Sequence, residues 1–262
     1  MEAERHWSDQ LAAWAIPPEI LEQASEDPWR CPVGLFRSRP STGSPGPSQL
    51  RAKEALPAGG SVLDVGCGGG GASMPLADRA THLTGADENA GMLAAFAEAA
   101  DRAGVAHAEH HGRWPEVAAQ VPPADVVVCH HVFYNVPDLA DFAIALTEHA
   151  RSRVVVELTD THPQMTNNYL WRHFWNVERS EGPTADDAVA VLNEIGLEVE
   201  IERFTRPPRW NLDDDRTELI AFIRRNLCLA PGREPDVERV FDPDRHALDR
   251  KAATIWWAGS GS

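Results

Sequence analysis

Residues that could do chemistry meet first in SVLDVGCGGGGASMPLA, Ser61 to Ala77, where an aspartate sits inside an apolar run that opens into a glycine-rich turn. Glycines at a strand-to-helix junction reach positive φ and let backbone N–H groups approach a ligand closely. Two binding patterns overlap on that turn. Gly66, Gly68 and Gly71 fit G-x-G-x-x-G, the dinucleotide spacing, whereas Asp64, Gly66, Gly68 and Gly70 fit D-x-G-x-G-x-G. In the second pattern the Asp64 carboxylate reaches toward a cationic amino group and repels a pyrophosphate. Asp87 follows about 20 residues past the turn, where a carboxylate can accept from both hydroxyls of a ribose. The structural alternatives are a buried cap for Asp64 and a helix N-cap for Asp87.

Histidines supply a second kind of chemistry. His130 and His131 close the apolar run ADVVVCH, and His162 follows RVVVEL in ELTDTHP. A histidine titrates near working pH and can take a proton; alternatively His130 offers only its backbone and His131 starts the next helix. Tyr134 and Asn135, just beyond, are placed to orient a substrate. A cluster of aromatics, Tyr169, Trp171, Phe174 and Trp175 in NNYLWRHFWN, would wall a pocket for a planar or hydrophobic molecule. The same side chains would also pack against Trp14, Trp29 and Phe36 of the N-terminal segment. NLDDDR, Asn211 to Arg216, is acidic, but three consecutive carboxylates cannot converge as alternating ligands do. No metal site is expected.

The elements that must hold these residues read as an alternation. Strands are predicted at 61–66, 82–87, 106–111, 124–130 and 153–158, with helices near 72–79, 89–103, 113–120 and 138–150 between and after them. Continuous apolar strands separated by helices imply a parallel sheet covered on both faces, with its ligand at the carboxyl edge. The later part changes character. A helix over 184–196, capped by Thr184 and stopped by Gly196, leads into alternating LEVEIERF, then a helix near 215–227 opened by Asp215 and Glu218, then a strand at 252–259. An alternating strand and a terminal one suit an antiparallel pair closing the sheet. Before residue 40 lie short helical patterns, and STGSPGPS, Ser41 to Ser48, reads as a linker or hinge.

Composition narrows the partners. The chain has 262 residues, of which 24 are Lys or Arg and 40 are Asp or Glu, giving a formal charge of −16. That charge opposes binding to nucleic acid or to an anionic membrane, although Arg151, Arg153, Arg203, Arg206 and Arg209 could form a local basic patch. Cys31, Cys67, Cys129 and Cys228 are too scattered for a zinc knuckle or a disulfide frame, so a reducing cytoplasm is expected. Neither a signal peptide nor a membrane span is apparent.

The strings VLDVGCGGG, LTGADENAGML and ADVVVCHHVFYNVPDL together resemble the class I S-adenosylmethionine (SAM) dependent methyltransferases, over roughly Ser61 to Leu158 and more loosely to the C-terminus. The resemblance implies a Rossmann-like α/β fold: a seven-stranded, mostly parallel sheet with helices on both faces, an antiparallel C-terminal pair and an N-terminal helical cap. Residues 1–50 would form that cap with its linker, and residues 51–262 the SAM-binding domain, with a substrate-lid insertion near 160–183. Asp64, Gly66 and Gly68 would then surround the methionine part of SAM, Asp87 would hold its ribose and Met92 or its neighbours would pack near the adenine, with Cys67 and Glu88 also binding the cofactor. Many relatives carry an acidic residue after the third strand; HHGRWP stands here, so Arg113 or Trp114 would line the adenine instead.

His130 would approach the cofactor from the fourth strand, and His130 or His131 would serve as general base. A sulfonium methyl is already electrophilic, so the protein need only align an acceptor, exclude water and remove a proton. The implied function is methyl transfer to a small molecule, with Tyr134, Tyr169, Trp171 and Trp175 as substrate contacts. An NAD(P)-dependent oxidoreductase and a non-catalytic SAM-binding protein are the rivals. Asp64 and the C-terminal strand pair count against the first.

Overall fold

The computed structural model describes the chain outside residues 31, 37–44, 209, 211 and 262, and leaves the side chains of 214 and 215 undescribed. Seven strands form one sheet: β1 Gly60–Val65, β2 Ala80–Asp87, β3 Ala106–His111, β4 Ala124–His130, β5 Ala150–Thr159, β6 Glu200–Arg206 and β7 Arg250–Ala258. Their order is β3-β2-β1-β4-β5-β7-β6. Strands β1 to β5 run parallel, and β7 runs antiparallel between β5 and β6. The chain order reverses between β1 and β4, so helices on opposite faces part there and leave a crevice outside the strand C-termini. The predicted alternation and the reversed terminal pair both stand.

The helices are α1 Glu2–Ala12, α2 Pro18–Leu21, α3 Val33–Phe36, α4 Pro47–Ala55, α5 Ala90–Ala103, α6 Leu139–Glu148, α7 Asn168–Trp175, α8 Ala185–Glu194, α9 Leu212–Asn226, α10 Glu234–Val240 and α11 Pro243–His246. Local chemistry sets several ends. Asn89 caps α5 through Oδ1, which accepts from Gly91 N and Met92 N, and Gly104 ends it with φ +68. Thr184 and Asp187 form a reciprocal capping box at the start of α8.

Four expectations need correction. The segment after the glycine loop is a turn with a short 3-10 helix, Met74–Leu76, because Pro75 and the glycine run disfavour a regular helix. Near 113–120 only Ala118–Gln120 is helical, again 3-10. Helix α9 starts at Leu212, a turn before the predicted Asp215. Of the expected linker, residues 41–44 lie outside the described residues, as do Cys31, Arg209 and Asn211, while Pro47 opens α4 and Ser48 is buried. Proline suits a first helical turn, where its missing N–H leaves no bond unmade.

Alternate strand residues face opposite sides. Leu63, Val65, Val127, Val154 and Val156 pack with Trp7 of α1, Leu146 of α6 and Leu192 of α8. Val62, Val126, Val128 and Val155 pack on the other face with Ala52 and Leu56 of α4 and Phe96 of α5. Asp64 shares the parity of Val62, so an ionisable group stands in the second apolar layer. A third cluster joins Leu170 and Trp171 of α7 to Ile220 and Ile223 of α9, with Ile16 and Ile20. Among the described residues no helix is long and apolar enough to cross a membrane.

Candidate functional site

A cleft of about 1720 Å³ opens along the carboxyl edge of the sheet. Ligand cavities of roughly 300–1,000 Å³ hold one drug-sized molecule, so this one has room for a cofactor and a second molecule. Its floor is the turn after β1. Gly66 and Gly68 have φ of +67 and +50, which favours glycine at both, and a Cβ on Gly66 would collide with Val132.

Two carboxylates hold this turn from either side. Asp64, 1% exposed, accepts a hydrogen bond from Ser73 Oγ at 2.6 Å. Burial pushes its pKa up to about 7, against the pull of that bond, with Asp87 adding repulsion. Asp87 ties two backbones together: Oδ2 accepts from Gly68 N at 2.9 Å and Oδ1 from Asn89 N at 2.8 Å. Burial raises its pKa, and the two N–H bonds oppose the rise. Each oxygen keeps a lone pair for a further donor. Cys67, also on the cleft, has its thiol pushed far up by burial and is no nucleophile there.

Further along the edge stand the two histidines. His130 Nε2 is enclosed without a hydrogen-bond partner, and burial pushes the pKa down to about 4, leaving a neutral imidazole at pH 7. His131, at φ +61, places Nε2 3.1 Å from Glu157 Oε1 and 3.2 Å from Arg206 Nη1. That nitrogen donates to the carboxylate in one tautomer and accepts from the guanidinium in the other. Glu157, 4% exposed, also accepts from Ser48 Oγ at 2.6 Å and pairs directly with Arg206. Burial alone would raise its pKa; the His131 bond and the neighbouring positive charges hold it well below the usual carboxylate range.

The residues named from sequence divide in two. Asp64, Gly66, Cys67, Gly68, Asp87, Glu88, Met92, Arg113, Trp114, His130 and His131 all line the cleft. Trp114 is also 6% exposed, packed edge-on against His149 with its Nε1 unpartnered, so it belongs to the core as much as to the cleft. Tyr134, Tyr169, Trp171 and Trp175 do not line it. Tyr134 braces the end of β5 through Thr159 Oγ1 at 2.7 Å. Tyr169 Oη accepts from Asp242 N at 2.9 Å, Trp175 Nε1 donates to Leu227 O at 2.7 Å, and Arg179 lies 4.2 Å over the Trp171 ring. All three face the α7–α9 cluster, because an aromatic stripe at helical spacing packs on whatever apolar face lies nearest. His162 is stacked on Trp14 at 3.8 Å, again away from the cleft lining. Among the cleft residues that sequence reasoning missed are Ser48, Glu157 and Arg250. A lone glutamate inside RVVVEL was the available signal.

Residues 62–153 match a family model described as a methyltransferase domain. An uncharacterised protein of Haemophilus influenzae is 34% identical over 213 residues, 75% of either chain. The chain belongs to the class I S-adenosylmethionine-dependent methyltransferase family. Its cofactor is therefore SAM. A ubiquinone biosynthesis O-methyltransferase of Aeromonas salmonicida is 34% identical over 106 residues, 39% of this chain and 44% of the relative. In fold the methyltransferase resembles a solved SAM-dependent methyltransferase from Thiobacillus denitrificans in complex with S-adenosylhomocysteine. That likeness has a TM-score of 0.53 at 18% identity and covers 92% of this chain and 98% of the other.

The cleft suits that cofactor on its own chemistry. Asp64 is a buried carboxylate that no side-chain cation pairs with among the described residues, and a ligand ammonium would discharge its desolvation. Gly68 offers open space, with no atom within 4 Å of an added Cβ. Among the described residues no group of three or more His, Cys, Asp or Glu side chains could hold a metal ion.

Proposed function

We propose that the protein transfers the methyl group of SAM to a small-molecule acceptor held between His130 and the ends of β5 to β7. The observation that carries this reading is the shared cleft: Asp64 and Asp87 stand at one end, a neutral, unpartnered His130 beyond them, and the volume exceeds what one ligand fills. When bound, SAM supplies an electrophilic methyl carbon whose C–S bond electrons leave with sulfur.

The chain's own residues then have limited tasks. Asp64 holds the ligand ammonium, Asp87 accepts from the ribose hydroxyls while fixing the loop through Gly68, and Met92, Arg113 and Trp114 border the adenine. His130, which lines the cleft, accepts the acceptor's proton. Between the histidines His130 is the better base, since His131 Nε2 is engaged with Glu157 and Arg206. Residues 51–262 form the cofactor-binding domain in this reading, with residues 1–50 as a cap whose Trp29, Arg30 and Leu35 reach the cleft rim. Ubiquinone-type relatives, which share 39% or less of this chain, support a small-molecule acceptor.

The test is transfer of labelled methyl from SAM to a panel of phenols, thiols, amines and carboxylic acids, beside calorimetric titration with S-adenosylhomocysteine and NADH. Micromolar S-adenosylhomocysteine binding and label in one acceptor are expected. Binding without transfer across the panel would favour a binding protein instead.

A further inference from the structure

Beyond His130 the cleft ends on two facing arginines. Arg206, the last residue of β6, and Arg250, the first of β7, are register partners across the antiparallel pair, and both line the cleft. Like charges so placed repel each other unless something neutralises them. Glu157, two positions before the end of neighbouring β5, neutralises Arg206 by direct ion pairing. Arg250 has no such partner: its Nε is shut off from solvent with no hydrogen bond among the described residues. Burial and the charge of Arg206 lower the Arg250 pKa, against a smaller pull from Glu157 and Tyr134. Two guanidinium groups thus share one carboxylate at this end of the cleft, in a protein of net charge −16. The Nη groups of Arg250 are not among the enclosed atoms and make no bond among the described residues, so they are the donors that face a ligand in the cleft.

We propose that Arg250, with Arg206 beside it, binds the carboxylate of an acidic acceptor and so turns the acceptor's nucleophilic end toward His130. This rests on the methyl-transfer reading above. The two Nη groups of a guanidinium present parallel N–H bonds in a planar fork that matches two carboxylate oxygens. Charge selects the monoanion. Arg206, Arg250 and Glu157 leave one positive charge over; a carboxylate cancels it, whereas a phosphate dianion would leave a negative charge beside buried Glu157.

The test uses the full chain saturated with S-adenosylhomocysteine, titrated calorimetrically with benzoate, phenylacetate and hexanoate against their neutral amides, and with phenyl phosphate. At least one carboxylate should bind about tenfold or more tighter than its amide. Arg250→Met should abolish that preference and Arg250→Lys should keep part of it, with S-adenosylhomocysteine affinity held within about twofold in both. Equal binding of acids and amides by the unaltered protein overturns the proposal, whatever the variants do. So does a preference that survives Arg250→Met, and tighter binding of phenyl phosphate replaces the carboxylate with a phosphate. Failure of S-adenosylhomocysteine itself to bind would instead overturn the cofactor placement on which the acceptor site depends.

Discussion

With its side chain buried and its pKa moved from 3.8 to about 7, Asp64 keeps a proton in the folded state that the unfolded chain has lost. Stability therefore falls as pH rises from about 4 to about 7 and stays depressed above it, the reverse of a salt-bridged carboxylate. Asp64→Asn should raise the melting temperature of the ligand-free protein more at pH 8 than at pH 5, and should cost S-adenosylhomocysteine affinity. Thermal scans and titrations at both pH values check this. In the unaltered protein that affinity should weaken below pH 7, approaching about tenfold per pH unit, because the ammonium needs an ionised partner. His130 predicts something different. With its pKa near 4, a base at this position is already deprotonated at pH 6, so kcat/KM should show no limb from it near 6.5. His130→Ala should lower turnover by about 10² or more while His131→Ala retains more activity. Equal activity of His130→Ala and the unaltered protein removes the base assignment.

Helices and strands decide how firmly those residues are held. Trp7 of α1 is fully buried and donates from Nε1 to Val136 O at 2.7 Å, which joins the first helix to the loop after β4 on the cleft wall. Trp7→Ala should destabilise by about 3–5 kcal/mol in denaturant unfolding. Gly66→Ala should lose S-adenosylhomocysteine binding, since φ of +67 and contact with Val132 both resist a Cβ. The sequence made the β1–β2 half of the cleft legible because its spacing is local: Asp64, the glycines and Asp87 lie within one βαβ unit, where backbone geometry leaves little choice. Glu157 and Arg250 escaped notice, and Arg206 was read only as part of a basic patch, because register pairing across β5, β7 and β6, which no short motif encodes, is what brings them together. The 169–175 aromatics were misplaced for a related reason. Their periodicity identifies an apolar face without naming the surface it meets.

The molecule as a whole behaves as two groups of strands sharing one edge. A ligand that spans the cleft binds only the folded state, so S-adenosylhomocysteine at 100 times its Kd should add about 2.7 kcal/mol of stability. For a chain of this size that is on the order of 5–10 °C in melting temperature, readable by calorimetry. Overall negative charge should keep the protein off polyanions, and weak or absent retention on a heparin column at low salt checks that. The strand order carries one more consequence. Strand β7 leaves the ribosome after β6 yet fits between β6 and β5, so a nascent chain stopped at residue 249 presents two open strand edges and none of the Arg250 guanidinium. Until those last residues emerge, β6 has no sheet to join. Premature termination there would therefore leave a chain that retains its glycine loop and both cofactor carboxylates, yet is prone to edge-to-edge association before it can hold an acceptor.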